Sequence, residues 1–558
     1  MKIKILPFIL AIAIIISFDA CRKGYKPRKS NKPVPEITQL DTSIDSTNAF
    51  NKIFMTKEVV DKYMEVDTLC ERMCAFVKSF YNSRNYQYAW FAPEGMPEHT
   101  LSFWNTIKNY VNYSGDTTMY TKKFAKYIDK LILKEPLKVK NDSIFQNLDF
   151  EFTRIFYRYA DKVFSQYPGF DLKSLEWYIP KKQLTLKETL ERAINKKERF
   201  ADANAPVNNK QFKLLRDEVI RYKKFMDQGG WKPVIVKKDL KLGYKGVEVI
   251  ELKKRLKAEG FLAGADSTFT DVYDNGLANA VNAAKEVYGY KPDGIANQIF
   301  IKDLNIPVEE RIQQIIVNIQ RMRWIPLETN DKGRAAMVNI PEFKLHMYDG
   351  GKPVWDMNVV VGKEGTSTTV FTGKINQVVF NPYWNIPPSI VKKEIMPNMS
   401  DEYLARNHYE VVGQEDGLPV IRQTPGDWNS LGRVKFLFPN SYNIYFHDTP
   451  SKSLFQRDKR SFSHGCIRLS EPFKFAKYVL NNPEWDDEKI KQMLATTEEK
   501  FISLKTPIPV LITYFTSWVN RNGGTIHFRE DIYGYDEAYA KKLFKNPVKT
   551  TKPTVTGK

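Results

Sequence analysis

The sequence predicts a multi-domain α+β protein with a helical N-terminal region, a compact three-helix unit and a mainly β C-terminal region. At about 150 residues per domain, 558 residues make three or four units. Apolar residues are 42% of the chain, which is enough to form a core in each unit. After residue 326 the spacing of apolar residues changes from the helical period to the strand period of two.

The composition also limits the class of protein. It excludes wholesale disorder, collagen and a multi-span membrane protein. The 85 Lys and Arg residues exceed the 65 Asp and Glu residues, which gives a formal net charge of +20. A basic chain attracts anionic partners, but no nucleic-acid-binding motif is recognisable, so we expect no nucleic-acid partner. The four cysteines are too few for a disulfide framework and do not have the spacing of a zinc site.

The N-terminus predicts export. Lys2 and Lys4 precede an apolar run of 14 residues, Ile5–Phe18. This run is shorter than the roughly 20 residues of a transmembrane helix, so residues 1–21 are interpreted as a signal peptide. Cys21 directly after a small residue resembles a bacterial lipobox, and its lipidation would anchor the protein to membrane lipid. Plain cleavage is the alternative, and both outcomes predict an exported, periplasmic protein.

The first part of the exported chain carries no recognisable chemistry. Residues 22–48 are rich in Lys, Pro, Ser and Thr, which predicts a flexible linker. Residues 49–238 show helical patterns and are interpreted as a helical scaffold domain. The first pattern runs from Val59 to Val77 and places Cys70 and Cys74 one turn apart, where we interpret them as small buried hydrophobic residues. Further helical patterns span residues 152–163 and 186–199.

A compact unit is predicted at residues 239–306. Gly246–Leu262 contains a helix with Val249, Leu252 and Leu256 inward, and Asp274 caps a second helix. A Lys-Pro-Asp-Gly turn and a third short apolar stretch follow. These residues resemble the small three-helix peptidoglycan-binding module, which implies that the unit binds cell-wall glycan. A helical spacer without a ligand is the alternative.

The remaining sequence predicts a connecting region at 307–333, which contains a helix at Val308–Met322, and a mainly β domain at 334–545. The predicted strands span 336–340, 344–348, 355–362, 375–381, 434–438, 444–446 and 510–514. Two helices are predicted within this domain, at 473–480 and 487–494. Residues 391–430 are expected to form an irregular insertion, and residues 546–558 a disordered tail.

The β domain contains a histidine and a cysteine in a pattern typical of nucleophilic catalysis. Cys466 follows His447 by 19 residues, next to Gly465. A free thiol has a pKa near ~8.5, so a thiolate nucleophile at neutral pH requires an imidazole to take its proton. The glycine leaves room for backbone N–H groups to approach an oxyanion. The alternatives are an inert buried cysteine, or a zinc site of His447, His464 and Cys466, for which no clear fourth ligand is present.

The full motif resembles a known active-site signature. His447, an interval of 15 residues and the run Ser463-His-Gly-Cys-Ile-Arg468 are similar to the signature of the L,D-transpeptidases. Other segments are similar to the large multi-domain branch of that family. They include Val338–Pro341, Phe380–Pro387, Asn429–Phe436 and Phe528–Tyr533. With the preceding module and scaffold, the resemblance covers about residues 50–540.

The resemblance implies roles for individual residues. Cys466 matches the nucleophile, His447 matches its general base, and the backbone carbonyl of Asp448 orients the imidazole. The residues that shape the active-site loop and the oxyanion hole are Ser463, His464 and Gly465.

Three further residues are implied to contact the substrate. Tyr445 lies where the family places a substrate-contacting tyrosine. Arg468 either holds a carboxylate of the stem peptide in bidentate geometry or anchors the loop. Trp428, with the insertion around it, is expected either to cap the acyl donor or simply to pack.

The implied reaction is acyl transfer in peptidoglycan. The thiolate attacks the carbonyl at the L-centre of the third residue of a tetrapeptide stem and releases D-Ala, and the side-chain amine of a second stem then forms a 3→3 cross-link. No metal or organic cofactor is needed, the partners are stem peptides and glycan, and carbapenems are expected to acylate Cys466. An L,D-carboxypeptidase that uses water, and a non-catalytic wall-binding lipoprotein, are the alternatives.

Overall fold

The computed structural model divides the chain into two compact units. One is Met1–Asp171 with Lys181–Arg221, and the other is Leu172–Pro180 with Tyr222–Lys558. The structure describes residues 36–45, 47–48, 51–65, 71–133, 137–163, 177–179, 190, 194, 210–265, 268–322, 325, 333–520, 524–544 and 547–548. The predicted signal peptide, Cys21, the first part of the linker and nearly all of the tail lie outside these residues.

The described part of the first unit is helical. Its helices are α1 (Lys57–Glu65), α2 (Glu71–Asn82), α3 (Glu98–Ser114), α4 (Lys122–Ile132) and α5 (Ser143–Val163), and the unit ends within α6 (Lys210–Asp227). Large aromatic side chains fill the core, among them Trp90, Trp104 and Phe152, which are all fully buried. The pattern at 152–163 lies in α5 as predicted, whereas the pattern at 186–199 falls almost entirely outside the described residues.

Two expectations for this unit change. The pattern from Val59 to Val77 belongs to α1 and α2, and the residues between these helices, which include Cys70, lie outside the described part. The linker prediction is wrong for its second half. The backbone N–H of Thr38 donates to Ser79 Oγ at 3.0 Å and that of Asp41 to the Asn82 carbonyl at 2.9 Å, so this stretch is bound to α2.

The predicted three-helix unit is present in the second unit of the fold. Its helices are α7 (Val247–Ala258), α8 (Asn275–Tyr288) and α9 (Gln298–Leu304), followed by α10 (Val308–Met322). Val249, Leu252 and Leu256 are fully buried, as their spacing predicted. The Leu277 N–H donates to the Asp274 side chain at 2.8 Å and caps α8.

The three-helix unit packs directly against the β region. Arg529 Nη1 donates to the Val287 carbonyl at 2.8 Å, and the rings of Tyr288 and Phe528 stack with their centroids 5.8 Å apart. The buried Glu259 accepts hydrogen bonds from Arg255 at 2.7 Å and from Tyr288 at 2.8 Å. A fully buried carboxylate is stable only when it is paired in this way. The module therefore forms one body with the β region.

The β region contains strands and four longer helices. The strands are β1 (Arg334–Asn339), β2 (Lys344–Asp349), β3 (Lys352–Gly362), β4 (Thr372–Phe380), β5 (Trp384–Asn385), β6 (Tyr409–Glu415), β7 (Leu418–Gln423), β8 (Val434–Leu437), β9 (Phe446–His447), β10 (Ser461–Ser463), β11 (Ile467–Leu469), β12 (Lys500–Thr513), β13 (Ser517–Val519) and β14 (Ile526–Phe528). The helices are α11 (Asp401–Arg406), α12 (Pro472–Leu480), α13 (Asp487–Leu494) and α14 (Tyr535–Leu543).

Nine of these strands form one sheet in the order β10-β3-β11-β9-β8-β4-β12-β1-β2, and β2 also pairs with β3, which closes the sheet on itself. Every predicted strand lies in or overlaps an observed one. Alternate residues face the core, for example in β8, where Val434 and Phe436 are fully buried. The short strands β9 and β11 lie side by side in the middle of the sheet order.

The insertion is folded rather than irregular. The strands β5, β7 and β6 form a three-stranded sheet, and a π-helix spans Val391–Ile395. These elements share an apolar cluster of their own, formed by Ile386, Val391, Ile395 and Ile421. The strand β5 precedes residue 391, so the folded insertion begins earlier than predicted.

Among the described residues, no helix has both the length and the apolar composition to cross a membrane.

Candidate active site

The central strands bring the predicted catalytic residues onto one face. The strands β9 and β11 run parallel, with Arg468 opposite His447 and Ile467 opposite Phe446. The N–H of Ile467 donates to the Tyr445 carbonyl at 3.2 Å, which extends the pairing by one position. Because side chains alternate along a strand, those of Tyr445, His447, Cys466 and Arg468 belong to the same face of the sheet.

His447 is 4% exposed, and its ring is oriented by its own chain neighbour. Its Nδ1 lies 2.5 Å from the backbone oxygen of Asp448. A carbonyl oxygen can only accept, so Nδ1 carries the proton and Nε2 carries the lone pair of the neutral ring. The ring also hydrogen-bonds to the backbone of Leu431. Burial and the nearby Arg468 charge lower the pKa of His447 to about 3, so the imidazole is neutral across the physiological range.

Asp448 is fixed in turn by its carboxylate. The backbone N–H of Arg433 donates to Asp448 Oδ2 at 2.9 Å, and the Lys452 ammonium pairs with Oδ1. Gly432 makes room for this carboxylate, because a Cβ there would lie 2.3 Å from Asp448 Oδ2. Hydrogen bonds on both carboxylate oxygens thus hold the carbonyl that orients His447.

Cys466 is a free, half-buried cysteine whose Sγ lies 3.5 Å from the Asn443 carbonyl oxygen. Burial raises the pKa of its thiol to about 11, while hydrogen bonds with Tyr445 and the charge of Arg468 act in the opposite direction. In the resting protein the pair is therefore a neutral thiol and a neutral imidazole. The thiol must lose its proton during the attack itself.

The loop before Cys466 is held by its own hydrogen bonds. The hydroxyl of Ser463 donates to the Cys466 carbonyl at 2.5 Å and accepts from the Gly465 N–H at 3.2 Å. The hydroxyl of Thr368 donates to the Gly465 carbonyl at 2.8 Å. Gly465 has φ +116, a conformation that a residue with a side chain rarely adopts. Gly465 is therefore needed for the conformation of the backbone at this position, and its N–H is already hydrogen-bonded to Ser463 within the loop.

A second aromatic residue, which the sequence reasoning missed, joins the site. The Trp384 side chain hydrogen-bonds to Tyr445, and Tyr445 hydrogen-bonds to Cys466. Indole can only donate, so the Tyr445 hydroxyl accepts from Trp384 and can give its own proton to the sulfur. Trp384 lies in β5 and packs against the apolar cluster of the insertion. The sequence feature that could have pointed to Trp384 is its position in the segment Phe380–Pro387, which is similar to the L,D-transpeptidases.

We expect Tyr445→Phe to slow alkylation of Cys466 by iodoacetamide about tenfold or more at constant pH, because a hydrogen bond to a thiolate is worth about 1.5–3 kcal/mol. The rate is measured by mass spectrometry in a Cys74→Ala background, so that Cys466 is the one cysteine among the described residues that can react. Tyr442→Phe removes a hydroxyl from the same segment and serves as the control. Equal rates in the two variants would exclude a role of the Tyr445 hydroxyl.

The other predicted residues occupy different positions. Arg468 is half-buried beside the pair, and its Nε has no hydrogen-bond partner within the described structure. His464 lies at the surface, with its Nε2 3.3 Å from Glu394 Oε1 in the insertion. Trp428 is 44% exposed and stacks on His408 with centroids 4.0 Å apart, so its described contacts lie within the insertion.

Among the described residues, no group of three or more His, Cys, Asp or Glu side chains is placed so that it could hold a metal ion.

Comparison with known protein families agrees with this architecture. The model of the "L,D-transpeptidase catalytic domain" family matches residues 333–510. A "Scaffold domain" model matches residues 75–219, and a "Putative peptidoglycan binding domain" model matches residues 245–302. Residues 333–510 are thus similar to an L,D-transpeptidase catalytic domain, and they follow a region that is similar to a peptidoglycan-binding domain.

A curated relative is the "Putative L,D-transpeptidase" of Haemophilus influenzae, 31% identical over 242 residues. The match covers 40% of this chain and 48% of the relative, so the chain spans about half the length of that protein.

Solved structures with partial similarity include two bacterial L,D-transpeptidases. The Stackebrandtia nassauensis protein is 14% identical, with 49% of this chain and 94% of that chain covered and a TM-score of 0.21. The Mycobacterium smegmatis protein is 14% identical, with 32% and 58% covered and a TM-score of 0.18.

Proposed function

We propose that the protein is a peptidoglycan L,D-transpeptidase that uses Cys466 as a covalent nucleophile and His447 as its base. The observation that supports this most strongly is the hydrogen bond from His447 Nδ1 to the Asp448 carbonyl, which leaves Nε2 unprotonated on the face that carries the thiol. The match of residues 333–510 to the catalytic-domain family supports the same reaction class.

The first half-reaction builds a thioester. His447 Nε2 takes the thiol proton as the sulfur attacks the carbonyl at the L-centre of the third stem residue, so that the C–S bond forms and the carbonyl becomes an oxyanion. The oxyanion collapses, the bond to D-Ala breaks, and the imidazolium gives its proton to the departing amine. In this proposal the loop Ser463–Gly465 shapes the site. Arg468 either holds the carboxylate of the stem peptide or anchors this loop.

The second half-reaction decides between the candidate activities. An attacking amine from another stem gives a 3→3 cross-link, whereas water gives a tripeptide and makes the protein an L,D-carboxypeptidase. The folded insertion favours the first, because it places polar groups beside the site: the Trp384 side chain hydrogen-bonds to Tyr445, and Glu394 lies next to His464. We expect Trp428 either to cap the acyl donor or to pack within the insertion, where it stacks on His408.

Incubation with purified disaccharide-tetrapeptide tests the proposal. The protein without residues 1–21 and its Cys466→Ala variant are compared, and products are followed by mass spectrometry. A dimer that has lost one D-Ala, and that is absent with the variant, is the expected result. Tripeptide as the only product would show that the protein is an L,D-carboxypeptidase. Unchanged substrate would show that it is a non-catalytic wall tether.

The other parts of the chain suit a cell-envelope protein. We infer that the module at 239–306 binds peptidoglycan and so delivers the catalytic domain at 334–545 to its substrate, in keeping with the family model that matches residues 245–302. The basic surface adds attraction to the acidic stem peptides. No cofactor takes part in the proposed steps.

We further propose that the protein is exported to the periplasm and lipidated on Cys21. Metabolic labelling with a fatty acid is expected to mark the wild type and to miss Cys21→Ala entirely, because a single acceptor thiol is removed. Equal labelling of the two would leave simple signal cleavage as the route of export.

A further inference from the structure

A carboxylate and an imidazole lie side by side where the insertion meets the active-site loop. Glu394, in the π-helix Val391–Ile395, has its Oε1 3.3 Å from Nε2 of His464. His464 precedes Cys466 by two residues, and consecutive Cα atoms are about 3.8 Å apart, so the Cα atoms of His464 and Cys466 lie within about 7.6 Å. The insertion therefore places a negative charge at the edge of the site that holds the nucleophile.

This pair is open to solvent. The Glu394 side chain is 55% exposed and the His464 side chain 41%. Exposed ion pairs contribute little to folding, because water and salt screen them. The carboxylate is therefore free to exchange its partner for a cation that arrives from solution.

Two tyrosines lie in the same folded insertion as Glu394. Burial, the neighbouring Tyr403 and the charge of Glu394 raise the pKa of Tyr409. The rings of Tyr403 and Tyr409 lie with centroids 6.1 Å apart, and both pack against the apolar cluster of the insertion. The carboxylate of Glu394, exposed beside an imidazole, can bind an ammonium group through charge-assisted hydrogen bonds.

We propose that Glu394, with His464, binds the ammonium group of the acyl acceptor. This inference rests on the proposed transpeptidase activity and concerns its second half-reaction. It makes Glu394 the residue that selects an amine over water.

The proton balance of the transfer step follows from this placement. The acceptor arrives as an ammonium ion and loses one proton to solvent through the Glu394–His464 pair. The free amine attacks the thioester carbonyl carbon, so that the C–N bond forms and the C–S bond breaks. The second proton passes through His447 to the sulfur, which restores the thiol, and the third stays on the amide nitrogen.

Glu394→Gln tests the proposal, with Glu402→Gln as the matched control, because Glu402 is another exposed carboxylate of the same insertion. Two quantities are measured with disaccharide-tetrapeptide: the rate of D-Ala release, which reports thioester formation, and the ratio of dimer to tripeptide. We expect Glu394→Gln to lower this ratio about tenfold or more while D-Ala release stays within about twofold of the wild type. Glu402→Gln should match the wild type in both.

Three results would overturn the inference. An unchanged ratio in Glu394→Gln would show that the acceptor binds elsewhere. A matching loss of D-Ala release would show that Glu394 supports the fold of the site. Absence of D-Ala release by the wild type would contradict the proposed function itself, and therefore also the assignment of Glu394 to the acceptor.

Discussion

Replacing Cys466 by alanine is expected to abolish covalent capture of a carbapenem and to lower D-Ala release by at least about 10³-fold. The β-lactam carbonyl is an activated acyl group, so thiolate attack opens the ring and leaves the inhibitor attached to sulfur. Intact-mass spectrometry is expected to show one added carbapenem on the wild type and none on Cys466→Ala.

The matched control is Cys74→Ala. Cys74 is a half-buried cysteine of the helical unit, on α2, and it lies outside the domain that carries His447. This variant should gain the same mass as the wild type. An adduct that persists in Cys466→Ala, or that disappears in Cys74→Ala, would contradict the assignment of the nucleophile.

Replacing His447 by alanine is expected to lower the rate of D-Ala release by about 10²–10⁴-fold near neutral pH, which is the usual contribution of a general base. The pKa of His447 is near 3 and that of the Cys466 thiol near 11. Between these values the wild type is in its reactive form, with a base that can accept and a thiol that can donate. Its rate should therefore be nearly constant from about pH 5 to pH 9.

The variant should behave differently, because without a base only the small thiolate fraction reacts. That fraction grows about tenfold per pH unit below the thiol pKa, so the deficit of His447→Ala should shrink as the pH rises. His346→Gln removes a histidine that bonds to Glu342 at 3.0 Å, and it should leave the profile unchanged. Parallel profiles for wild type and His447→Ala would show that His447 does not act as the base for the thiol.

The local spacing of apolar and capping residues was sufficient to predict much of the fold. The helix Val308–Met322, the inward residues of α7 and the Asp274 cap depend on neighbours a few positions away, so their spacing predicts them directly. The folded insertion was not predictable in the same way. The two-residue strand β5 is stabilised by its partner β7, some 40 residues further along the chain, and no local signal encodes that pairing.

The sequence by itself was sufficient to predict the type of chemistry, because Cys466, His447 and the run Ser463–Arg468 form a motif that is defined by their order along the chain. Only the tertiary structure decided the electrostatic state of the pair, since burial and the Arg468 charge lower the His447 pKa and burial raises that of the thiol. It also brought Trp384 to Tyr445 and Glu394 to His464. These contacts join residues more than 60 positions apart, and such distances close only when the sheet and the insertion have folded.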